Sequence, residues 1–309
     1  MKTVVCTLFE GHYHIGAAAL INSLDRAGFR GRVAAGFRGS LPPWANGKTE
    51  LALPSGLVVH LISLTTTYHL TNFKPDFALS QLQQDDEAIW YLDPDIVVTA
   101  RWRFFEEWAT AGIALCEDVN SPLSLQHPRR VSWRNYFAQK GFQLRPRETV
   151  YVNGGCVGLL AANSGFLKTW RDLQLAMADA IGGLEQSKLN GGSSEQMRDP
   201  NFFFNASDQD ALNATIEASP ADVHLSILGS SAMGFTPGAA QLPHALGAPK
   251  PWKKAYLRAT LAGHPPTTAD KAFWEFTGGP LRPFTGADIR FRKRMLKIAA
   301  FVGRFYRRA

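Results

Sequence analysis

The segment Tyr91-Leu-Asp93-Pro-Asp95-Ile-Val-Val98 marks the end of a predicted buried strand and places two carboxylates just beyond it. Pro94 favours termination of the strand because proline has no amide hydrogen for a β-ladder. Asp93 and Asp95 are two positions apart, so in extended backbone both side chains project to the same side and can reach one cation. Ligands of open α/β sheets bind beyond the carboxyl ends of strands, which favours a site here, although a solvated turn explains the same tripeptide.

Short apolar runs alternate with amphipathic helical patterns along the chain. Strands are predicted at 3–8, 31–37, 57–64, 88–92, 113–116, 150–160 and 223–228, and helices at 15–27, 75–82, 166–181 and 208–218. This alternation predicts an α/β fold with a mixed, mostly parallel sheet flanked by helices. Residues 182–207 are rich in Gly, Ser, Asn and Gln, and are predicted to form a loop over a cleft.

The net charge of +7 is concentrated at the C-terminus. Residues 286–309 contain eight Lys or Arg against the single acid Asp288, so the preceding 285 residues are electrically balanced. The main body is therefore not a basic nucleic-acid platform, and no nucleic-acid partner is expected. Residues 1–285 are predicted to form the main domain and 286–309 a basic amphipathic tail, which either lies on an anionic membrane surface or docks with its cations facing water.

Three cysteines, Cys6, Cys116 and Cys156, lie in apolar runs without C-x-x-C spacing, which favours buried free thiols over a disulfide framework or zinc site. The N-terminal apolar run is too short for a signal-peptide core, and no stretch approaches the length of a membrane-spanning helix. The expected location is the cytoplasm, possibly peripheral on the inner face of the membrane through the tail.

A second chemically informative segment reads His244-Ala-Leu-Gly247-Ala-Pro-Lys250-Pro-Trp252. His244 is a natural third ligand for the two carboxylates, and Lys250 offers a point charge for a phosphate. Carboxylate oxygens suit Mg²⁺ or Mn²⁺, and the added imidazole tilts the choice towards Mn²⁺. The alternative is a surface loop in which the prolines and glycine make a turn and the histidine is structural.

Two further segments, Tyr151-Val-Asn153-Gly-Gly-Cys and Ser207-Asp208-Gln209-Asp210-Ala-Leu-Asn213, complete an ordered set of four motifs. The set resembles the retaining glycosyltransferases of family 8, the group that contains glycogenin and lipooligosaccharide galactosyltransferases, over roughly residues 3–255. The resemblance implies a GT-A fold and a nucleotide-sugar donor, most often a UDP-sugar.

The resemblance also implies roles for individual residues. Metal ligands would be Asp93, Asp95 and His244, and phosphate contacts would be Gly247 and Lys250. The donor sugar would face Asn153, Asp208 and Gln209, with Asp118 at the sugar or acceptor. Thr7 would contact the base through its backbone and Tyr13 by stacking, and Lys74 would reach the diphosphate or sugar. The sequence departs from the family pattern at Pro94, at the Leu-Phe-Glu end of the first strand, and in offering Glu117 beside Asp118.

The resulting prediction is a metal-dependent retaining glycosyltransferase that moves a hexose from a UDP-sugar to a hydroxyl of a glycan or glycolipid. A lipopolysaccharide-type acceptor would agree with membrane association through the tail. Retention requires either a covalent intermediate, for which Asp208 is the candidate, or same-face substitution with Gln209 and Asn153 stabilising charge, which is favoured. Asp208 also fits a helix N-cap. A nucleotidyltransferase, a sugar-nucleotide hydrolase and a non-catalytic binding module are the alternatives.

Two clusters have less specific interpretations. Trp102, Phe104, Phe105 and Trp108 follow a helical spacing and are expected to pack in the core. Residues 127–134 combine His127, two adjacent arginines, Trp133 and a further arginine. This segment either binds an anionic acceptor or forms a solvated basic loop, and the loop is the favoured interpretation.

Overall fold

The computed structural model describes residues 1–187 and 203–305. This part of the chain divides into two compact units. The first unit contains residues 1–8, 64–92 and 106–229, and the second contains 9–63, 93–105 and 230–309. Most of the predicted loop at 182–207 lies outside the described residues, as do the last four residues of the tail.

The elements follow the alternating order that the sequence predicts. The strands are β1 (Thr3–Glu10), β2 (Arg32–Arg38), β3 (Glu50–Ala52), β4 (Val58–Ser63), β5 (Ala88–Leu92), β6 (Ile113–Glu117), β7 (Val152–Leu160) and β8 (Leu225–Leu228). The helices are α1 (His14–Ala27), α2 (Lys74–Gln81), α3 (Trp102–Ala111), α4 (Pro128–Gln139), α5 (Gly165–Ile181), α6 (Ser207–Ala218), α7 (Tyr256–Leu261), α8 (Thr268–Phe276) and α9 (Gly286–Val302). Together they make the α/β class with an eight-stranded sheet, as expected.

In the first unit, strand β7 runs opposite to both of its neighbours in the sheet. Strands β1 and β5 pair in parallel, β6 and β8 also pair in parallel, and β7 runs antiparallel to both β5 and β6. Gly158 of β7 lies on Trp90, because a Cβ at this glycine would come within 2.4 Å of the indole ring. This close approach lets a fully buried tryptophan fit against the centre of the sheet.

In the second unit, β4 pairs in parallel with β2 and antiparallel with the short β3. Helix α1 packs on α8, and α9 packs on α7 and α8, around an aromatic core that includes Trp252, Phe273 and Trp274. Asn22 of α1 is buried and bonds to backbone oxygens of Phe276 and Leu281. These bonds satisfy the buried carboxamide and fix α1 to the C-terminal helices.

The predicted strands and helices are confirmed, with ends that differ by one or two residues. Helices α7 and α8 and strand β3 are not anticipated by the sequence analysis. The aromatic cluster at 102–108 is mostly buried, as expected, with only Phe104 half-buried. The three cysteines are buried, and among the described residues they form no disulfide.

The prediction of a solvated basic loop at 127–134 is wrong, because most of this segment lies in helix α4. His127 instead caps the start of α4 by accepting from the Arg129 backbone amide. Arg130 is fully buried and pairs through its Nε with Glu217 at 3.0 Å, while its Nη1 donates to the Leu123 carbonyl. The cations are therefore used to join α4 to α6 within the first unit.

Candidate functional site

Three predicted metal ligands come together in the second unit. Asp93, Asp95 and His244 each present one ligand atom, and these atoms lie within 4.8 Å of one another. Nε2 of His244 is 3.2 Å from an Asp95 carboxylate oxygen and 3.9 Å from an Asp93 oxygen. Two carboxylates and one imidazole form a donor set that suits Mn²⁺, and their convergence fits a single divalent cation.

Backbone hydrogen bonds align the two segments that carry these ligands. An antiparallel bridge joins Ile96 to His244, and the Ala245 amide donates to the Asp95 carbonyl at 3.1 Å. The Val97 amide also donates to the Pro243 carbonyl. The histidine is therefore placed opposite the carboxylates by main-chain pairing, although about 150 residues separate them in the sequence.

Lys250 occupies the other side of Asp95. Its Nζ donates to Asp95 Oδ2 at 2.5 Å and to the Ala245 carbonyl at 2.7 Å. Burial alone would raise the pKa of Asp95, but the adjacent His244 and Lys250 outweigh it and lower this pKa below the ordinary value. Asp95 is accordingly an ionised, nearly buried carboxylate, which is the form that a metal ligand requires.

Gly247 follows the histidine in a turn that favours glycine. Its φ of +70° lies in the left-handed region, which side chains with a Cβ rarely adopt. A Cβ built here would meet no other atom within 4 Å. The glycine thus serves the turn, and the space beside its backbone is open to a ligand.

Tyr13 stands beside Lys250 in a small aromatic group. The Lys250 Nζ lies 5.7 Å from the centre of the Tyr13 ring, and the His12 ring stacks on Tyr13 at 4.9 Å with an interplanar angle of 18°. Trp252 contacts Tyr13 edge-on and donates from its indole nitrogen to His12 Nδ1 at 2.9 Å. The ring predicted to stack on a base is thus already stacked on His12 on one side.

In the first unit, a separate group joins two of the predicted sugar-facing residues. Asn153 donates from Nδ2 to Asp118 Oδ2 at 2.6 Å, and the other oxygen of Asp118 accepts from the backbone and side chain of Asn120. Glu117 instead accepts from the Ser121 hydroxyl. Of the two adjacent acids, Asp118 is therefore the one that meets Asn153.

Lys74, Asp208 and Gln209 meet around the backbone of Gly154 in the same unit. Lys74 Nζ lies 2.8 Å from an Asp208 oxygen and donates to the Gly154 carbonyl at 2.9 Å. The Gly154 amide in turn donates to the Gln209 side-chain oxygen at 3.0 Å. Lys74 and Asp208 are both nearly buried, so this is a desolvated ion pair at the start of α6.

The remaining predicted contact, Thr7, lies in β1 with a fully buried side chain. Within the described part of the chain its hydroxyl has no hydrogen-bond partner. Only its backbone remains for the predicted base contact. The sequence analysis did not anticipate the hydrogen bond between Trp252 and His12, which are 240 positions apart.

No protein-family model matches the chain, and no curated protein matches its sequence. Solved structures do share its fold. The glycosyltransferase GlyE of Streptococcus pneumoniae TIGR4 superposes with a TM-score of 0.52 at 15% identity, over 96% of this chain and 64% of GlyE. The galactosyltransferase LgtC, solved with donor and acceptor sugar analogues, gives 0.50 at 13% identity over 94% of this chain and 99% of LgtC.

A third match, the bifunctional glycosyltransferase WbbM, gives a TM-score of 0.50 at 13% identity, and this chain spans about half of its length. All three are glycosyltransferases, which agrees with the family resemblance of the four motifs. At these identities the comparison establishes the fold, and the GT-A prediction is confirmed.

Proposed function

We propose that this protein is a metal-dependent retaining glycosyltransferase that moves a hexose from a UDP-sugar to a glycan or glycolipid hydroxyl. The observation that carries the proposal is the convergence of Asp93, Asp95 and His244, with Lys250 paired to Asp95. A donor diphosphate needs a divalent cation and a further positive charge, and this cluster offers the ligands for one and supplies the other.

Each residue of the cluster has a distinct task in this proposal. Asp93, Asp95 and His244 Nε2 would hold Mn²⁺ or Mg²⁺, which acts as a Lewis acid on the diphosphate leaving group when bound. Lys250 contributes positive charge that stabilises the same developing anion. Burial lowers the pKa of Lys250, but Asp95, Tyr13 and Asp93 together raise it above the ordinary value, so the ammonium stays charged.

In the first unit, Asp118 and Asn153 suit recognition of the hexose. Asp118 and Asn153 are nearly buried and bonded to each other, so they present oriented polar groups rather than mobile ones. Asp208 is already paired with Lys74, which weakens its case as a covalent nucleophile because a neutralised carboxylate attacks less readily. This pairing supports same-face substitution, in which Gln209 and Asn153 stabilise charge.

The tail supports a membrane-associated acceptor. Helix α9 buries Ile289, Leu296 and Ala299. Phe291 and Phe301 on the helix, and Phe305 just beyond it, remain more than half exposed. Docking of one face therefore leaves an aromatic, basic surface, which suits an anionic membrane carrying a glycolipid acceptor. Within the residues the structure describes, no helix combines the length and apolar character needed to cross a membrane.

Donor turnover tests the proposal directly. Purified protein with Mn²⁺ is incubated with a panel of UDP- and GDP-hexoses, and nucleotide release is followed with and without candidate glycan acceptors. One UDP-hexose is expected to react, with release at least a hundredfold lower in Asp95→Asn and abolished by a chelator, as expected when a metal ligand is removed. Asp179→Asn, whose side chain is 90% exposed, is the matched control and should retain activity.

Acceptor dependence separates the transferase from the hydrolase. Release that rises with acceptor supports transfer, whereas equal release in its absence favours a sugar-nucleotide hydrolase. Binding of no nucleotide sugar by the metal-loaded protein would contradict the proposal.

A further inference from the structure

Asn72 is a fully buried asparagine whose side chain joins its own segment to two others in the first unit. It lies in the short 3₁₀ helix Leu70–Phe73, directly before α2. Its Nδ2 donates to the backbone carbonyls of Leu184 at 2.9 Å and Gln186 at 2.8 Å. Its Oδ1 accepts from the Ser207 hydroxyl at 2.7 Å. Both ends of the carboxamide are therefore engaged, as a buried amide requires.

The hydrogen bond from Ser207 lies beside the ion pair of the candidate site. Ser207 is the first residue of α6 and directly precedes Asp208, while Asn72 is two positions before Lys74. Lys74 Nζ is 2.8 Å from an Asp208 oxygen and also donates to the Gly154 carbonyl. The two segments are thus tied twice, once by a hydrogen bond between neutral groups and once by the ion pair.

The lysine side chain does not by itself fix the position of its ammonium. Lys74 has a flexible four-carbon stem, so its Nζ stays in one place only when the backbone that carries it is held as well. Asn72 restrains that backbone two positions earlier, and Ser207 restrains the start of the helix that carries Asp208. A buried ion pair offsets the desolvation of its charges only when the two groups meet closely. A small shift of either segment would therefore weaken the pair.

We propose that Asn72 is a positioning residue that acts through Ser207 to hold Lys74 against Asp208, and that sugar transfer requires this arrangement. The inference rests on the proposed function, in which Asp208 and its neighbour Gln209 face the hexose. A purely structural role would need only a well-packed interior, which apolar residues also provide. A carboxamide bonded at both ends instead specifies one alignment of the 3₁₀ helix with α6.

Side-chain NMR of ¹⁵N-lysine-labelled protein tests the position of Lys74 without any substrate. A buried, paired ammonium exchanges its protons slowly with water, so a Lys74 Nζ signal is expected and is assigned by its absence in Lys74→Met. Ser207→Ala removes only the hydroxyl that bonds to Asn72, and the signal should shift or broaden. Thr215→Val is the matched control, because it removes a buried hydroxyl that donates to Ala211 within the same helix. The Lys74 signal should not change in this control.

Donor turnover tests whether the arrangement matters for transfer. Ser207→Ala is expected to lower kcat about three- to tenfold and Asn72→Ala roughly ten- to a hundredfold, because charged groups at a reacting centre tolerate little displacement. Adding Ser207→Ala to Asn72→Ala should cause no further loss, since the two residues act through one hydrogen bond. Mn²⁺ affinity should stay within about twofold, because the metal ligands belong to the second unit. Thermal melting confirms that each variant is folded.

Each of the following results would overturn part of the account. Absence of a Lys74 signal from the wild-type protein, or an unchanged signal in both Ser207→Ala and Asn72→Ala, refutes the positioning role and leaves the proposed function standing. An equal change in Thr215→Val reflects a general loosening of α6 and also refutes it. A displaced signal with unchanged kcat refutes the need for the pair in transfer. A displaced signal in a protein that turns over no nucleotide sugar refutes the proposed function, while the link from Asn72 to Lys74 stands.

Discussion

At the scale of single residues, the most densely charged surroundings in the candidate site are those of Asp95. This carboxylate meets an imidazole on one side and an ammonium on the other while it is nearly buried. A carboxylate in that setting would be costly without compensation, because burial penalises its ionised form. His244 and Lys250 supply that compensation and keep the carboxylate ionised.

Gly16 controls how closely helix α1 approaches the turn between the two carboxylates. A Cβ at this position would lie 2.3 Å from the Pro94 carbonyl oxygen and 2.8 Å from the Trp252 ring. Gly16→Ala is therefore expected to cost about 1–3 kcal/mol of unfolding free energy through overpacking, although alanine normally favours a helix. Because Pro94 separates the two aspartates, Mn²⁺ affinity should fall as well. Urea unfolding and Mn²⁺ titration measure the two effects.

Gly165→Ala provides the control for that substitution. Gly165 begins α5, and a Cβ there would meet nothing within 4 Å. Its unfolding free energy should stay within about 1 kcal/mol of the wild-type value. Equal behaviour of the two variants would contradict the close packing of α1 on the Pro94 turn.

At the scale of secondary-structure elements, a buried ion pair joins α4 to α6. Glu217 is fully buried and pairs with Arg130 and Arg134. Glu217→Gln leaves a buried guanidinium without its counter-charge, so a loss of about 3 kcal/mol in unfolding free energy is expected by urea denaturation. The exposed Glu275→Gln is the control and should change the unfolding free energy little.

The double variant Arg130→Met with Glu217→Leu removes both charges and should recover stability. A loss as large as that of Glu217→Gln would contradict the ion-pair account.

The sequence analysis anticipates elements with a clear local period and fails where the decisive contact is distant. Strand β5 is a continuous apolar run, and β7 is apolar apart from Asn153 and its glycines, so both are found correctly. The arginines of α4 have polar neighbours and look solvated, because their acid lies in another helix. Helix α8 does carry a local signal, since Thr267 and Asp270 form a capping box before an apolar stretch.

At the scale of the whole molecule, the tail is expected to bind anionic membranes. Phe291 and Phe301 expose 61% and 59% of their surface on α9. Replacing both by serine should weaken binding to phosphatidylserine-containing vesicles roughly tenfold or more, because buried aromatic area drives insertion. Cosedimentation measures the effect, and wild-type binding should decrease as salt rises.

The matched control for the tail is Leu175→Ser, an exposed apolar residue on α5. This variant should bind vesicles like the wild-type protein. Equal binding by the double phenylalanine variant, or no binding by any form, would contradict the membrane role of α9.

The residues of the candidate site that lie within sequence motifs could be predicted from the sequence. The four segments contain Asp93, Asp95 and His244, which the structure brings together, and Asn153, Asp208 and Gln209, which lie beside Gly154 or bond to Asp118. These side chains follow local motifs at strand and helix ends. The link from Trp252 to His12 could not be found that way. It depends on the packing of the C-terminal segment beside the turn after β1, which no local pattern encodes.

The central claim is that Asp93, Asp95 and His244 bind the metal of a nucleotide-sugar donor. The most direct test is anomalous diffraction at the manganese edge from crystals grown with Mn²⁺ and UDP. We expect one anomalous peak coordinated by both carboxylates and His244 Nε2, with the UDP phosphates as further ligands and Lys250 in contact with them. Bound UDP without a peak at these residues, or a manganese ion bound elsewhere, would contradict the account.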